Sequence, residues 1–223
     1  MKKPKIFIAC DTTNLTKTRK IINQSKTKMI KIGYKFGLEF MNSKNGRRFI
    51  SSLKNKIIFV DLKLNDTVNT MVSAVKALKD LKINYLTVHI SSGFTALKAV
   101  KKVSGSTKII GVTTLTSLNN RDLKLIGHTK SVKNLVTHQA KLAKKASLDA
   151  LVCSPYEVSA VRKVFKKEII TPGIRLPGDS KGDQKRVMTP KQAFQNGATA
   201  LVMGRSLTGN IKKNIQKLIR ELN

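Results

Sequence analysis

Short apolar runs recur along the chain and are separated by segments in which apolar residues follow a helical spacing. Eight of these runs are apolar almost throughout, as expected for strands that are covered on both faces. Such strands are typical of parallel sheets, in which helical crossovers cover the two faces. The predicted strands span residues 5–9, 29–33, 57–62, 85–89, 108–113, 150–153, 169–171 and 200–203.

Helical periodicity occupies the gaps between the predicted strands. In residues 68–81, for example, Met71, Val75 and Leu78 fall on one helical face. Thr189 followed by Pro190 is typical of a helix start, with a capping hydroxyl and a proline at the first helical position. The clearest predicted helices span residues 68–81, 132–146, 189–196 and 211–222.

Eight strands that alternate with helical sequence predict an α/β fold, a (β/α)8 barrel that forms a single domain over residues 1–223. A doubly wound open sheet is the alternative. In a barrel, the residues at the ends of all eight strands converge on the C-terminal face, where catalytic groups lie. The polar and glycine residues predicted at or near that face are Asp11, Lys31, Asp61, Lys63, His89, Thr116, Ser117, Arg175, Gly204 and Arg205.

The chain carries 44 Lys and Arg residues against 12 Asp and Glu residues, a formal charge of +32. Such a charge is compatible with a nucleic-acid-binding protein, because cations neutralise phosphates. However, the lysines are dispersed, and few aromatic residues are available to stack on bases. We therefore favour a compositional bias and a small phosphorylated substrate, with no nucleic-acid partner.

Cysteine usage and hydropathy indicate the compartment. Two cysteines in 223 residues argue against a disulfide-built scaffold and favour a reducing cytoplasm. The apolar stretch of residues 6–10 is too short for a secretory signal, and no run is long enough to span a membrane. Three scattered histidines without paired cysteines make a structural zinc site unexpected.

The segment from Phe59 to Asp66 is the most informative part of the chain. Strand alternation places Asp61 and Lys63 on the same face of an otherwise apolar strand. A charge pair buried in this way is costly to desolvate, which favours a functional role over a purely structural ion pair. Asp66 follows at the turn into the next helix, where it could also act as a helix cap.

Several motifs, in order and spacing, resemble those of bacterial orotidine 5′-phosphate decarboxylases. The Asp-x-Lys-x-x-Asp pattern alone is weak, because related phosphate-binding barrels share it. The whole set extends from Asp11 to Arg205 and is specific. Its members are Asp61-x-Lys63-x-x-Asp66 with Asn69-Thr70, Leu115-Thr116-Ser117, Thr171-Pro172-Gly173-Ile174-Arg175, Asp183 to Pro190, and Gly204-Arg205.

This resemblance implies a barrel enzyme of de novo pyrimidine biosynthesis. It would convert orotidine 5′-phosphate to uridine 5′-phosphate and CO2 without a metal or an organic cofactor. Lys63 would protonate C6 of the pyrimidine, and Asp61 would lie beside the substrate carboxylate. Lys31 and Asp66 would complete an alternating array of charges, with Asp66 contributed by the second subunit of a homodimer.

The resemblance also implies the residues that bind the substrate. Residues 174–188, which are polar and contain glycine, would form a mobile lid over the phosphate. The implied ribose contacts are Asp11, Lys31, Thr67 and Thr70, the pyrimidine contacts are Thr116 and Ser117, and the phosphate contacts are Arg175, Gln184, Gly204 and Arg205.

The sequence departs from the family pattern at Asn65, where the family often has His, and at Thr67-Val68, where it often has Ile-Pro. Neither departure removes a charged group. The nearest rival is a sugar-phosphate aldolase or decarboxylase of the same barrel group, which would use Mg²⁺ on an enediolate. The Leu115-Thr116-Ser117 and Gln184 elements argue against that rival.

Overall fold

A computed structural model describes residues 3–179 and 187–222. Eight parallel strands pair in chain order, and β8 pairs back onto β1 to close a barrel. Closure confirms the (β/α)8 barrel and excludes the open sheet. That residues 1–223 form a single domain stays a prediction. The strands are β1 Lys5–Ala9, β2 Lys31–Gly37, β3 Ile57–Leu64, β4 Tyr85–His89, β5 Lys108–Val112, β6 Ala150–Val152, β7 Glu168–Thr171 and β8 Ala200–Met203.

Helices surround the barrel and cover its outer face. Thr189 caps one of them and forms a capping box with Gln192, and Pro190 occupies the first helical position, as the sequence predicts. The helices are α1 Leu15–Gln24, α2 Leu38–Met41, α3 Gly46–Ser52, α4 Val68–Ala77, α5 Phe94–Val103, α6 Asn120–Leu125, α7 Val132–Lys145, α8 Val158–Val164, α9 Pro190–Gln195, α10 Arg205–Thr208 and α11 Ile211–Leu222.

The interior of the barrel is packed with side chains. Phe7, Phe59 and Tyr85 meet there at ring-centroid distances of 5.1–6.1 Å, together with smaller residues of the other strands. Below this layer, Lys5 and Tyr85 contact Glu168 and close the N-terminal end of the barrel. The catalytic groups are therefore expected at the C-terminal end, as is usual in this architecture.

Strand β2 is the main departure from the predicted elements. The sequence predicts a strand at residues 29–33, whereas the structure has Lys31–Gly37. Gly33 does not end the strand but lies inside it. A Cβ at this position would come within 2.8 Å of the Phe7 ring. The glycine makes room for that ring, and the strand continues through Lys35.

Candidate active site

A cavity of about 490 Å³ lies at the carboxyl ends of the strands. Its floor is apolar and includes Phe59, which belongs to the packed interior layer. Four cations and two anions line its walls, so the described lining carries an excess of positive charge. Such a lining attracts anions. The charged lining residues are Asp11, Lys35, Asp61, Lys63, Arg175 and Arg205.

Asp61 is the centre of a network of charges on the cavity wall. Its Oδ2 accepts a hydrogen bond from Lys63 Nζ at 2.9 Å and lies 3.3 Å from Lys35 Nζ. Lys35 Nζ also donates to Asp11 Oδ1 at 3.1 Å. The four groups therefore alternate in sign in the order Asp11, Lys35, Asp61, Lys63, so that each buried charge lies beside an opposite one.

This alternation determines the ionisation of the buried groups. Burial alone would raise the pKa of Asp61, but Lys35 and Lys63, together with hydrogen bonds from Lys63 and Thr87, outweigh it and lower that pKa. Burial would lower the pKa of Lys35, but Asp61 and Asp11 outweigh it and raise that pKa. Both groups are therefore charged at neutral pH.

The backbone of Lys63 is left-handed, with φ of +50°. This conformation costs a non-glycine residue about 1–2 kcal/mol. It coincides with an irregularity in the pairing of β3 with β4 between Val60 and Leu64. Bulges of this kind redirect side chains near active sites. Here the result is that both Asp61 and Lys63 point into the cavity.

Two polar side chains outside the sequence motifs support the site, the buried Thr87 and the partly buried Gln139. Thr87 donates to Asp61 Oδ1 at 2.9 Å and accepts from the Lys63 N–H at 2.9 Å. Gln139 of α7 accepts from both the N–H and the hydroxyl of Thr114, at 2.8 and 3.1 Å, and so anchors the loop that carries Thr116. For Thr87, the sequence offers one indication, which is a polar residue in the middle of the mainly apolar strand β4.

Lys31 is not part of this site, and the prediction that included it is wrong. It lies at the first position of β2, beside Lys5, and lines a separate cavity at the N-terminal end of the barrel. Lys35 occupies the predicted position, about 13 Å further along the strand. Both lysines have the same parity on β2, so alternation alone cannot distinguish them. The wrong prediction of Lys31 results from the misplaced end of β2.

Asp66 and Thr67 on the turn after β3 and Thr70 in the first turn of α4 are exposed, and they do not line the cavity of their own chain. Asp66 Oδ1 accepts from the Thr67 N–H at 2.6 Å, and the hydroxyls of Thr67 and Thr70 lie 3.0 Å apart. The turn is thus ordered by local hydrogen bonds. These three side chains are available to a neighbouring molecule.

Arg175 and Arg205 form a cationic end of the cavity. Burial lowers the pKa of Arg175, and the nearby Arg205 guanidinium lowers it further. Two cations that repel each other in this way favour an anion between them. Gly204 precedes Arg205, and a Cβ there would meet only Ala9 at an ordinary 3.6 Å, so the neighbouring side chains leave room at this position.

The remaining predicted contacts divide into three cases. Thr116 lines the cavity, whereas Ser117 is exposed and does not. Gln184 lies outside the described residues, as do residues 180–186 of the predicted lid as a whole. The lid's base is described: Arg175 N–H donates to the Met188 carbonyl at 3.1 Å, and Met188 N–H to the Gly173 carbonyl at 3.3 Å.

No cluster of three or more His, Cys, Asp or Glu side chains suited to a metal ion occurs within residues 3–179 and 187–222. Cys10 and Cys153 are buried and free. Burial, with a contribution from Asp11, raises the pKa of Cys10 to about 12, so its thiol is protonated at neutral pH. No helix in these ranges has the length and apolar character needed to cross a membrane.

Comparison with known proteins identifies the class to which this fold and site belong. The family model of the Orotidine 5'-phosphate decarboxylase / HUMPS family matches residues 4–216. The chain belongs to this family.

Among curated relatives, the orotidine 5'-phosphate decarboxylase of Prochlorococcus marinus (strain AS9601) is 38% identical over 95% of this chain and 91% of its own. That of Fusobacterium nucleatum is 40% identical over 93% and 90%. These names confirm the prediction that the chain is an enzyme of the carboxy-lyase class.

Solved structures agree in fold over nearly the whole chain. The crystal structure of orotidine 5'-phosphate decarboxylase from Lactobacillus acidophilus superposes with a TM-score of 0.83, at 30% identity and 99% coverage of both chains. The enzyme from Methanocaldococcus jannaschii, solved in complex with the inhibitor BMP, gives 0.79 at 21% identity. The second similarity concerns the fold alone.

The assignment of Lys35 in place of Lys31 can be tested by titration. Because the folded pKa of Asp61 lies below the unfolded value of about 3.9, Asp61 contributes stability above that pH, and the contribution is lost as pH falls through the folded value. Lys35→Met should raise the folded pKa of Asp61, measured from its carboxyl carbon by NMR, because it removes an adjacent cation.

Lys31→Met is the matched control, since it removes an equal charge from the opposite end of the same strand. It should leave the titration of Asp61 unchanged. Equal shifts in the two variants, or a shift only in Lys31→Met, would contradict the placement of Lys35.

Proposed function

We propose that this chain decarboxylates orotidine 5′-phosphate to uridine 5′-phosphate and CO2, a step of de novo pyrimidine biosynthesis. The observation that carries the proposal is the Asp11–Lys35–Asp61–Lys63 network, which lies in one cavity with the Arg175–Arg205 pair. The curated relatives support the same substrate by their names.

The chemistry of the step explains why such a network is needed. Cleavage of the C6–carboxylate bond leaves an electron pair on C6 in the plane of the pyrimidine, where no π system delocalises it. The enzyme must therefore supply electrostatic stabilisation and a proton. Lys63 is the proposed donor: its ammonium gives a proton to C6, and the new C6–H bond replaces the bond to CO2. The neutral amine then regains a proton from solvent.

Asp61 has two proposed roles. Its carboxylate lies beside that of the substrate, where like charges destabilise the bound carboxylate more than the neutral CO2 that leaves. It also accepts a hydrogen bond from the Lys63 ammonium at 2.9 Å, which keeps that group charged and oriented. Lys35 shares Asp61 Oδ2 and allows the carboxylate to stay ionised while buried.

The rest of the cavity is suited to the remainder of the substrate. Arg175 and Arg205 are the proposed phosphate ligands, together with the backbone at Gly204 and with Gln184 of the lid. Thr116 and Ser117 are the proposed pyrimidine contacts, with the loop anchored by Gln139. Asp11 and Lys35 are the proposed ribose contacts, and Lys35 takes the role first assigned to Lys31.

A homodimer with shared active sites forms part of the proposal. Asp66, Thr67 and Thr70 are exposed and lie outside their own chain's cavity, which supports a role in the cavity of a second copy. Asp66 would then extend the alternating charges beyond Lys63. A cytoplasmic location, catalysis without a metal or cofactor and the absence of a nucleic-acid partner stay predictions.

Lys63→Ala should lower turnover of orotidine 5′-phosphate by at least about 100-fold, because a positioned proton donor contributes about 10²–10⁴-fold. Turnover is measured by the change in pyrimidine absorbance, and folding by circular dichroism. Lys31→Ala, at the other end of the barrel, should retain nearly full activity. A Lys63→Ala enzyme that keeps more than about a tenth of wild-type turnover, a loss under about 1.4 kcal/mol, would sink the assignment.

The shared site predicts complementation between inactive variants. Lys63→Ala and Asp66→Ala subunits, co-refolded in equal amounts, should recover about a quarter of wild-type activity, because half of the dimers are mixed and each mixed dimer has one intact site. Each variant refolded alone is the control. No recovery in a sample that contains mixed dimers, shown by native mass spectrometry, would count against shared sites.

Arg205→Ala should lower kcat/KM for orotidine 5′-phosphate by more than about 100-fold, or about 2.7 kcal/mol, because it removes a charge-assisted contact to the phosphate. Added guanidinium should restore part of the loss. Arg47→Ala, which removes an exposed arginine paired with Asp80, is the matched control and should have little effect. An equal loss on the nucleoside without phosphate would show that Arg205 does not act through the phosphate.

A further inference from the structure

The pairing of β3 with β4 leaves one residue of β4 opposite three residues of β3. Val60 pairs with Leu86 and Leu64 pairs with Val88. Asp61, Leu62 and Lys63 therefore lie against Thr87 alone. Two of these three residues carry the proposed chemistry, so the side chain at position 87 lies where the catalytic strand leaves the regular ladder.

The hydroxyl of Thr87 makes two hydrogen bonds whose directions are fixed. The Lys63 N–H can only donate, so Thr87 Oγ1 accepts from it at 2.9 Å. The hydroxyl proton is then given to Asp61 Oδ1 at 2.9 Å, because an ionised carboxylate only accepts. Thr87 itself is completely buried, so water does not compete for either bond.

These two bonds act on different properties of the site. The bond to Oδ1 sets the plane of the Asp61 carboxylate and leaves Oδ2 for the ammonium groups of Lys63 and Lys35, at 2.9 and 3.3 Å. The irregular pairing of β3 with β4 leaves the Lys63 N–H without a partner in the ladder, and Thr87 accepts its hydrogen bond. The backbone of Lys63 has a φ of +50°. A strained backbone of this kind persists only where neighbouring groups hold it.

We propose that Thr87 is a positioning residue for the reaction: its hydroxyl orients Asp61 and holds the left-handed backbone of Lys63, and so aims the proton donor. The proposal rests on the proposed function, because it gives Thr87 a role through Asp61 and Lys63. Thr87 is completely buried, and both hydrogen bonds of its hydroxyl go to residues of the site.

The test compares Thr87→Val, which keeps the shape and removes the hydroxyl, with Thr87→Ser, which keeps the hydroxyl and removes the methyl. Thr87→Val should lower kcat for orotidine 5′-phosphate about 10- to 100-fold, with KM changed less than about threefold, because the misaimed groups act in the reaction step. Thr87→Ser should keep kcat within about threefold of wild type.

The pH profile supplies a readout that a purely structural role would not move. Charged and titratable groups near Asp61 are Lys35 with Asp11 behind it, Lys63, and His89 at the end of β4. None of these changes in Thr87→Val, but Asp61 loses a hydrogen bond that favours its ionised form. The acid limb of kcat/KM and the carboxyl-carbon titration of Asp61 should therefore both move to higher pH.

Thr18→Val is the matched control, since Thr18 of α1 is also fully buried but its hydroxyl donates to the carbonyl of Asn14, just before that helix. It should change neither kcat nor the titration of Asp61. Thr87→Ala replaces Thr87→Val in the comparison if circular dichroism shows that the valine variant does not fold. Kcat within about twofold of wild type without the hydroxyl, or equal damage in Thr87→Ser, would overturn the proposal.

Failure of the proposed function can be distinguished from failure of this inference. A wild-type protein that does not decarboxylate orotidine 5′-phosphate refutes the function, and the NMR titration then decides about the role of Thr87 in orienting Asp61. An upward shift in Thr87→Val but not in Thr18→Val supports that role. An active wild type whose Asp61 titrates identically in all variants refutes it.

Discussion

The buried carboxylate of Asp61 is the group on which the rest of the site depends. A carboxylate removed from water is costly unless cations and hydrogen-bond donors surround it. Here Lys35 and Lys63 lie within 3.3 Å of Oδ2, and Thr87 donates to Oδ1. Loss of one neighbour would leave the buried carboxylate only partly compensated. The groups therefore stabilise one another, and they hold the Lys63 ammonium and the Asp61 carboxylate at fixed positions before a substrate enters.

The barrel supplies the rigidity that this set requires. Asp61 and Lys63 come from β3, Lys35 from β2 and Thr87 from β4, so three adjacent strands determine the geometry. The aromatic layer of Phe7, Phe59 and Tyr85 packs beneath them. The left-handed backbone of Lys63 is strained, and the packing of the barrel offsets that strain. This conformation directs the charged side chains of Asp61 and Lys63 into one cavity.

Much of this could be predicted from the sequence, and the failures have physical reasons. Strands β1, β4 and β8 begin and end as predicted, because each is a short and mainly apolar run. Strand β2 was misplaced because Lys35 interrupts its apolar run and Gly33 resembles a strand end. The sequence pattern therefore predicts Lys31, and not Lys35, as the lysine of the site. Thr87 was missed because its role depends on an irregular pairing between strands, which no periodicity in one strand reveals.

If electrostatics and one ammonium carry out the decarboxylation, the reaction needs no metal. The decisive experiment follows the absorbance change of orotidine 5′-phosphate with the purified wild-type protein in excess chelator. We expect full turnover that is unaffected by the chelator. Absence of turnover, or turnover that the chelator abolishes and added Mg²⁺ restores, would contradict it and would favour the metal-dependent chemistry of the rival barrel enzymes.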